Sequence, residues 1–203
     1  MSSNKIKFTN KVFPSDFNNM SSFELRIILE CAFGCIKTAS YFGAKVYGEF
    51  VHDVIVPLLF DPTTNVKFKN VNLWFTSESA LQEFLDYVGG ILQKDEDDQY
   101  YLTEFGIFIT NINIVISEMF PVEDFDVNEV TYSLNDKDEW ITTAPNRLVK
   151  QIHNKEAVML CQYWKQIKTE NNSSKDYHYS KIKEMFTSKG WSVFLPNAKL
   201  MII

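Results

Sequence analysis

At 203 residues, with 45% hydrophobic and 15% aromatic residues, the chain is long enough for one compact domain with a sizeable core. Seven Gly and six Pro argue against a collagenous or elastic protein, and no apolar run approaches the ~18–20 residues of a membrane-spanning helix. The net charge of −6 is unevenly distributed along the chain: residues 1–144 carry −12, and residues 145–190 carry +5. The basic tail is expected either to bind an anionic partner or to pack on the acidic body of its own chain.

The first half of the chain alternates patterns typical of helices and strands. A helix is predicted over residues 21–40, where apolar residues recur at helical spacing. A short strand, Lys45 to Tyr47, leads through a turn at Gly48 into a further helix. We expect that helix to end near Pro57, because proline lacks the N–H group that would continue it. After a loop, residues 69–75 are predicted to form a strand.

The second half begins with a helix predicted over residues 76–92. Residues 99–120 alternate aromatic and β-branched residues and predict two strands. A hairpin is expected around Asn135-Asp136. From Pro145 the pattern becomes helical over residues 145–169, and a last helix is expected to end at Gly190.

This order of elements predicts an α+β protein with a small mixed β-sheet, helices packed on it and a helical C-terminal part. We expect residues 1–144 to form the α+β domain and residues 145–203 to form a basic helical segment packed on it. A doubly wound parallel sheet is disfavoured because the chain has too few β–α units.

Several common catalytic motifs are missing from the sequence, which contains no GxSxG, no P-loop and no GxGxxG. His52, His153 and His178 lie far apart, without a second ligand at metal-binding spacing. Cys31 and Cys35, four apart on one helix, are expected to face the core as small hydrophobic side chains. We therefore predict no zinc site. The odd number of cysteines and the polar beginning of the chain favour a reduced, intracellular protein that is not secreted.

Three short segments contain a glycine turn and two pairs of polar residues in an arrangement typical of phosphoryl-transfer sites. A strand ends at Gly48 and a helix follows, which leaves backbone N–H groups free for a phosphate. Asn70 and Asn72, at i and i+2 in the strand KNVNLWF, point to one face. Asn111 and Asn113 repeat this spacing on a later strand. Paired carboxylates in such positions hold Mg²⁺ against a triphosphate, whereas all these side chains are amides.

The order and spacing of these segments resemble the nucleotidyltransferase superfamily, which includes DNA polymerase beta, poly(A) polymerases and tRNA nucleotidyltransferases. That family places a motif such as Gly-Gly-x-x-Arg-Asp before a helix, Asp-x-Asp on a strand and a third carboxylate on a later strand. Here Glu49 stands in place of the second glycine and His52 in place of the arginine. The resemblance assigns seven degenerate active-site positions, namely Gly48, Glu49, His52, Asp53, Asn70, Asn72 and Asn113.

Two later segments, residues 121–132 and 189–193, look similar to parts of nucleotidyltransferase-like proteins encoded by giant DNA viruses of amoebae. The resemblance covers roughly residues 40–195 and implies a protein of a large DNA virus. Such a protein is expected in the host cytoplasm, within the viral factory, or in the virion.

The departures from the family pattern share one chemical consequence. An Asn in place of an Asp keeps the shape of the side chain but removes its charge, and neutral amide oxygens are poor substitutes for carboxylates around Mg²⁺. Asparagine is also depleted in strands, so three of them at the expected positions favour a decayed site. The resemblance therefore implies a catalytically inactive protein without metal or cofactor, which acts by binding.

The basic C-terminal segment is the predicted contact surface for nucleic acid or a viral protein partner. Its cationic residues are Arg147, Lys150, Lys155, Lys165 and Lys168. The alternative is a helix whose apolar residues pack inward while the lysines stay solvated. Whether the chain forms a homodimer stays open.

Two other functions stay open. An active nucleotidyltransferase with unusual metal ligands would require Mg²⁺. Asp124 and Asp126 have the i, i+2 spacing of a displaced metal pair, although their position after Pro121 in a loop favours turn and cap roles. A structural or assembly protein on an unrelated α+β fold would use the fold only as a scaffold.

Overall fold

The structure of the chain, a computed structural model, describes residues 23–96, 99–104, 107–120, 124–137, 139–160, 180–181 and 183–195. It confirms the predicted α+β class, with helices packed on a seven-stranded mixed sheet. The helical elements are α1 (Phe23–Tyr41), a π-helical turn (Val51–Ile55), α2 (Val56–Phe60), α3 (Glu78–Tyr87), a 3-10 turn (Asp126–Glu129), α4 (Asn146–His153) and α5 (residues 183–188). The strands are β1 (Lys45–Tyr47), β2 (Asn70–Phe75), β3 (Leu92–Lys94), β4 (Tyr100–Glu104), β5 (Ile107–Ile116), β6 (Thr131–Leu134), β7 (Trp140–Ile141), β8 (Glu156–Val158) and β9 (Ser192–Phe194).

The large sheet has the strand order β3-β4-β5-β2-β1-β6-β7. Strands β2 and β5 pair in parallel, and the other neighbouring pairs are antiparallel. In the parallel pair Asn72 lies opposite Asn113, and on its other side Asn72 lies opposite Tyr47 of β1. The two strands that carry the predicted polar residues are therefore neighbours at the centre of the sheet.

The alternation of side chains along β2 explains why its asparagines are not in the core. Val71, Leu73 and Phe75 are fully buried on one face of the strand, whereas Asn70 and Asn72 are half-buried on the other. Because successive side chains of a strand point to opposite faces, burying the apolar set fixes the asparagines on the face where the candidate site lies.

Helix α1 confirms the first predicted helix and packs across several strands of the sheet. Its buried Phe33 makes edge-to-face contacts with Phe50 and Trp140, at ring-centroid distances of 5.6 and 5.7 Å. Cys35 is buried on the same helix, as predicted, and burial raises the pKa of its thiol to about 12. Neither α1 nor any other helix in the described part of the chain is both long and apolar enough to cross a bilayer.

The helix after Gly48 was expected to end near Pro57, but it continues to Phe60. The N–H group of Val56 donates to the carbonyl of Val51, one residue further back than in an α-helix, and this π turn inserts an extra residue before the proline. Pro57 then falls in the first turn of α2, where a missing N–H group costs no intrahelical hydrogen bond.

The long helix predicted over residues 145–169 is wrong beyond His153, where α4 ends. Lys155 adopts a left-handed backbone conformation with φ of 56°, which ends the helix and starts β8. Strand β8 pairs in parallel with β9, a pairing that no local pattern indicated, and buries Ala157. Residues 161–169 of the predicted helix lie outside the described residues. Strand β3, which pairs with β4, was also not predicted, whereas the hairpin at Asn135-Asp136 is confirmed.

Candidate functional site

The site is built around the turn at Gly48, between β1 and the helix that follows it. Gly48 has φ of 67°, and a Cβ atom at this position would lie 2.7 Å from the side-chain nitrogen of Asn72. The carbonyl of Gly48 accepts hydrogen bonds from the N–H groups of Val51 and His52, at 3.0 and 3.2 Å, which start the helix. Glycine is required here both for the left-handed conformation and for the close approach of β2.

Asn72 and Asn113 form a direct pair beside this turn. The amide nitrogen of Asn113 donates to the side-chain oxygen of Asn72 at 2.8 Å, as their opposed positions on the parallel strands allow. Two ionised carboxylates could not make this contact, because neither would carry a hydrogen to donate. The pair therefore satisfies itself without a cation between the two side chains.

Lys189, in the turn after α5, lies between two carboxylates of the helix that begins at Gly48. Its Nζ donates to Glu49 Oε1 at 2.7 Å and to Asp53 Oδ2 at 2.8 Å. The other carboxylate oxygen of Asp53 lies 2.6 Å from His52 Nδ1. The Asp53 side chain is 15% exposed and that of Glu49 is 24% exposed, so one ammonium offsets one of the two negative charges of these partly buried acids.

This ion pair shifts the titration of both partners. Burial disfavours the charged form of Asp53, but its hydrogen bonds and electrostatic interactions with His52 and Lys189 outweigh burial and lower the pKa of Asp53 below its ordinary value of 3.8. Burial also disfavours charged Lys189, but the hydrogen bonds and charges of Asp53 and Glu49 raise the pKa of Lys189 above 10.5. Both groups are therefore charged across the neutral range.

Aromatic rings from the C-terminal part hold this cluster against the core. His52 is only 7% exposed and contacts the rings of Phe186 and Trp191, at centroid distances of 5.8 and 5.2 Å. Phe186 packs in turn on Phe125, at 4.6 Å. The segment around Lys189 is thus attached to the body of the protein by buried aromatic contacts as well as by the ion pair.

A cavity of about 250 Å³ lies between these elements and is here called the first cavity. Five of the seven predicted site residues line it, namely Gly48, Glu49, His52, Asn72 and Asn113. Asp53 is held to the same cluster through Lys189, whereas Asn70 lines neither this cavity nor the second one described below. Sequence reasoning missed Tyr47, Asn128, Met185, Phe186 and Lys189, which complete the wall. Lys189 stands in the segment that the viral resemblance singled out, but that resemblance gave it no role.

The donors around the first cavity do not fit Mg²⁺. The side-chain oxygen of Asn72 already accepts the hydrogen of Asn113, and the carboxylates of Glu49 and Asp53 already share the ammonium of Lys189. Within the described ranges, no group of three or more His, Cys, Asp or Glu residues has the geometry to hold a metal ion. Mg²⁺ is usually bound through one or two carboxylates that are free to coordinate, and the carboxylates of this site are engaged.

The alternative aspartate pair serves the local fold. Asp124 accepts hydrogen bonds from the backbone N–H group of Phe125 at 3.0 Å and from the side chain of Asn128 at 2.7 Å. Asp126 accepts from the N–H group of Val158 at 2.8 Å and from Gln151 at 3.2 Å. Asp124 therefore has the turn role expected from its position in a loop. Asp126 instead connects this turn to α4 and β8, through partners 25 and 32 positions away.

The predicted basic surface is described only in part. Arg147 and Lys150 are exposed on α4, and exposed Lys155 follows that helix. Lys165 and Lys168 lie outside the described residues. All three described cations are exposed, and their contact with a partner stays a prediction.

No family model and no curated protein sequence matches the chain. Its structure is similar to that of a CCA-adding enzyme with CTP, at 14% identity and a TM-score of 0.46, over 79% of this chain and 38% of that one. A Thermotoga maritima CCA-adding enzyme complexed with tRNA has 14% identity and a TM-score of 0.44, over 77% and 36%. A tRNA-processing enzyme in an apo form has 16% identity and a TM-score of 0.41, over 66% and 36%. These enzymes belong to the nucleotidyltransferase superfamily, and the chain spans less than two fifths of their length.

Proposed function

We propose that the chain is a catalytically inactive nucleotidyltransferase-like protein that acts by binding. The observation that carries this proposal is the 2.8 Å hydrogen bond between Asn113 and Asn72, at the two strand positions where the family resemblance expects metal-binding carboxylates. An amide pair in this contact has no net charge and its facing oxygen is occupied. It therefore lacks what a metal-dependent phosphoryl transfer needs at that place.

The charges next to the amide pair support the same proposal. Two-metal transfer requires acidic ligands that hold ions about 3.5–4 Å apart. The acids of the described site, Glu49 and Asp53, are instead paired with Lys189 of the same chain. Because its ammonium donates to both carboxylates, it is engaged within the protein and not directed at a substrate phosphate. The site is thus suited to holding a ligand and poorly suited to transfer.

The first cavity limits the ligand that it can take. Its volume of about 250 Å³ lies below the ~300–1,000 Å³ of pockets that enclose drug-sized molecules. Its walls combine the amides of Asn72, Asn113 and Asn128 with the rings of Tyr47 and Phe186. Amides that donate and accept hydrogen bonds beside aromatic faces suit a nucleobase or a ribose.

The proposal extends to the partner and the source. The exposed cations Arg147, Lys150 and Lys155 would contact nucleic acid or a viral protein. Their positive charges would attract an anionic partner, although the chain as a whole is acidic. The source would be a large DNA virus, with the protein inside the host cell or in the virion. These parts rest on the sequence resemblance and the exposed cations.

Thermal unfolding in the presence of Mg²⁺ or Mn²⁺ and each nucleoside triphosphate tests the inactive site. We compare the natural protein with Asn70→Asp/Asn72→Asp/Asn113→Asp, which restores three carboxylates. A ligand at ~100 times its dissociation constant adds ~2.7 kcal/mol to the free energy of unfolding. We expect no metal-dependent shift in the natural protein and a clear shift in the triple variant.

The matched control carries the same charge change away from the cavity, as Gln93→Glu/Asn146→Asp/Asn154→Asp at three exposed positions that line neither cavity. It should show no metal response. Metal-dependent nucleotide incorporation by the natural protein, abolished by Asn72→Ala, would contradict the proposal and support the enzyme alternative. If neither the natural protein nor the triple variant responds, Asn70, Asn72 and Asn113 do not stand in place of metal ligands, and the proposal of a decayed site is wrong.

A further inference from the structure

A second, larger cavity of about 810 Å³ lies on the other side of the Glu49–Lys189 ion pair. The ion pair and His52 belong to the walls of both cavities and separate them. The remaining wall comes from the loop before β2, from the end of α4 and from Lys155. None of the asparagines at the degenerate active-site positions contributes to this second cavity.

Two lysines of the loop before β2 line the second cavity. Lys67 and Lys69 flank Phe68, whose ring packs edge-to-face on the buried Phe50 at a centroid distance of 4.7 Å. Both lysines are exposed. The anchored Phe68 therefore fixes the backbone that presents the two ammonium groups, so they are more than freely mobile surface charges.

The third lysine, Lys155, lines the same cavity and has a left-handed backbone conformation that residues other than glycine rarely adopt. It is the residue with φ of 56° after α4, and it is the one residue other than glycine with positive φ within the described part of the chain. Its Nζ donates to the carbonyl of Lys189 at 3.2 Å. Glycine or asparagine is usual at such a helix end, and residues held in rare backbone conformations concentrate at functional sites.

The acidic residues of this cavity do not fully cancel its lysines. Lys189 is shared by Glu49 and Asp53 and offsets one of their two negative charges. The exposed Asp61 stays charged and accepts hydrogen bonds from the backbone and hydroxyl of Thr63, at 2.9 and 2.7 Å. Four lysines, Lys67, Lys69, Lys155 and Lys189, thus stand against three carboxylates, which gives the wall a formal net charge of +1 although the whole chain carries −6.

We propose that the second cavity binds a ligand with several phosphoryl groups, without a metal ion, through Lys67, Lys69 and Lys155. Its volume suits a phosphorylated small molecule or a short stretch of single-stranded nucleic acid. Thr64 and Asn65, in the same wall, add a hydroxyl and an amide for the remaining polar groups. The inference rests on the proposed function only in that the chain acts by binding, since it uses none of the asparagines of the first cavity.

Equilibrium binding in the presence of EDTA tests this site with two probes, inorganic tripolyphosphate and a short single-stranded oligouridylate. The variant Lys67→Glu/Lys69→Glu should lose about tenfold or more in affinity for any probe that binds. The matched control Lys137→Glu/Lys181→Glu changes two exposed lysines that line neither cavity and should retain the affinity of the natural protein. Binding of tripolyphosphate alone assigns a phosphorylated small molecule, and stronger binding of the oligouridylate assigns single-stranded nucleic acid.

The variant Lys155→Gly distinguishes an effect on ligand binding from an effect on the stability of the fold. Glycine relieves the left-handed backbone, so we expect an unfolding temperature equal to or above that of the natural protein, together with weaker binding. With three phosphate contacts, affinity for the oligouridylate should fall roughly twentyfold between about 50 and 200 mM salt. The slope of log affinity against log salt should become shallower by about 0.7 in the variant.

The proposal is wrong if neither probe binds, or if the two double charge reversals and the natural protein bind equally well. Its failure is distinguishable from failure of the proposed function. Phosphate binding that depends on Lys67 and Lys69 stands even if the first cavity shows a metal response, and its absence leaves the result of the metal assay unchanged.

Discussion

Replacing Lys189 with methionine removes the ammonium that Glu49 and Asp53 share, while it keeps most of the apolar length of the side chain. The ammonium makes two charge-assisted hydrogen bonds, at 2.7 and 2.8 Å. An exposed ion pair contributes about 0.2–1 kcal/mol, and the Lys189 side chain is 37% exposed, so solvent screens part of the interaction. Both carboxylates are more buried than the lysine and would lose their shared counter-charge. We expect Lys189→Met to lower the free energy of unfolding by about 1–2 kcal/mol.

The pH dependence of this loss follows from the two pKa shifts. The lowered pKa of Asp53 means that its stabilising contribution is present above pH 3.8 and is lost as the pH falls through the folded-state pKa. The raised pKa of Lys189 means that its contribution is present below pH 10.5 and is lost as the pH rises through its folded-state pKa. The difference between the natural protein and the variant should therefore be largest between these limits and should close in acid.

Urea unfolding followed by tryptophan fluorescence measures this difference, since Trp191 is buried beside the ion pair. A double-mutant cycle with Asp53→Asn isolates the coupling between the two side chains. The matched control is Lys181→Met, at an exposed position on the helical segment before Lys189. A variant Lys189→Met that is as stable as this control, or a coupling energy near zero, would refute the assigned role of Lys189.

Three further predictions concern the turn, the amide pair and the core. Gly48→Ala should lower the free energy of urea unfolding by about 1–3 kcal/mol, because of the left-handed backbone and the 2.7 Å contact with Asn72. The control Gly34→Ala lies in α1, where a Cβ atom would have nothing within 4 Å, and should be neutral or stabilising. Asn72→Asp/Asn113→Asp places two carboxylates in contact, which raises the folded-state pKa of one of them. Without metal its unfolding temperature should therefore fall as the pH rises from about 4 to 7, and pH-independent stability would contradict the geometry. Tyr132→Phe should leave the free energy of unfolding unchanged or raise it, because the buried hydroxyl of Tyr132 has no hydrogen-bond partner among the described residues and burial raises its pKa. A decrease in the free energy of unfolding of more than about 1 kcal/mol would show that the hydroxyl does have a hydrogen-bond partner.

Local patterns were sufficient for the elements that their own residues stabilise. The apolar spacing of α1 and the alternation of β2 each specify one buried face, so the element and its orientation follow from nearby residues. The same alternation placed Asn72 and Asn113 on strands, and the family resemblance assigned both to one degenerate active site. The register of β2 and β5 puts them side by side. The role of these residues as a degenerate active site stays a prediction.

The two errors have different causes. The pattern predicts a helix beyond His153, but β8 forms there because β9, more than thirty residues later, supplies its hydrogen-bonding partner. That pairing cannot be deduced from a window of a few residues. The error at Pro57 is local, because the π turn immediately before the proline accommodates its missing N–H group.

The sequence by itself determined the class of the fold, the glycine turn and the neutral character of the asparagines, since each depends on residue type and short-range spacing. The tertiary structure alone decided that Lys189 pairs with Glu49 and Asp53, although 140 and 136 positions, respectively, separate it from them. It also decided that Lys67, Lys69 and Lys155 line one cavity. Charges act through distance in space, and distances between residues so far apart along the chain are fixed only when the sheet, the helices and the C-terminal strands have packed together.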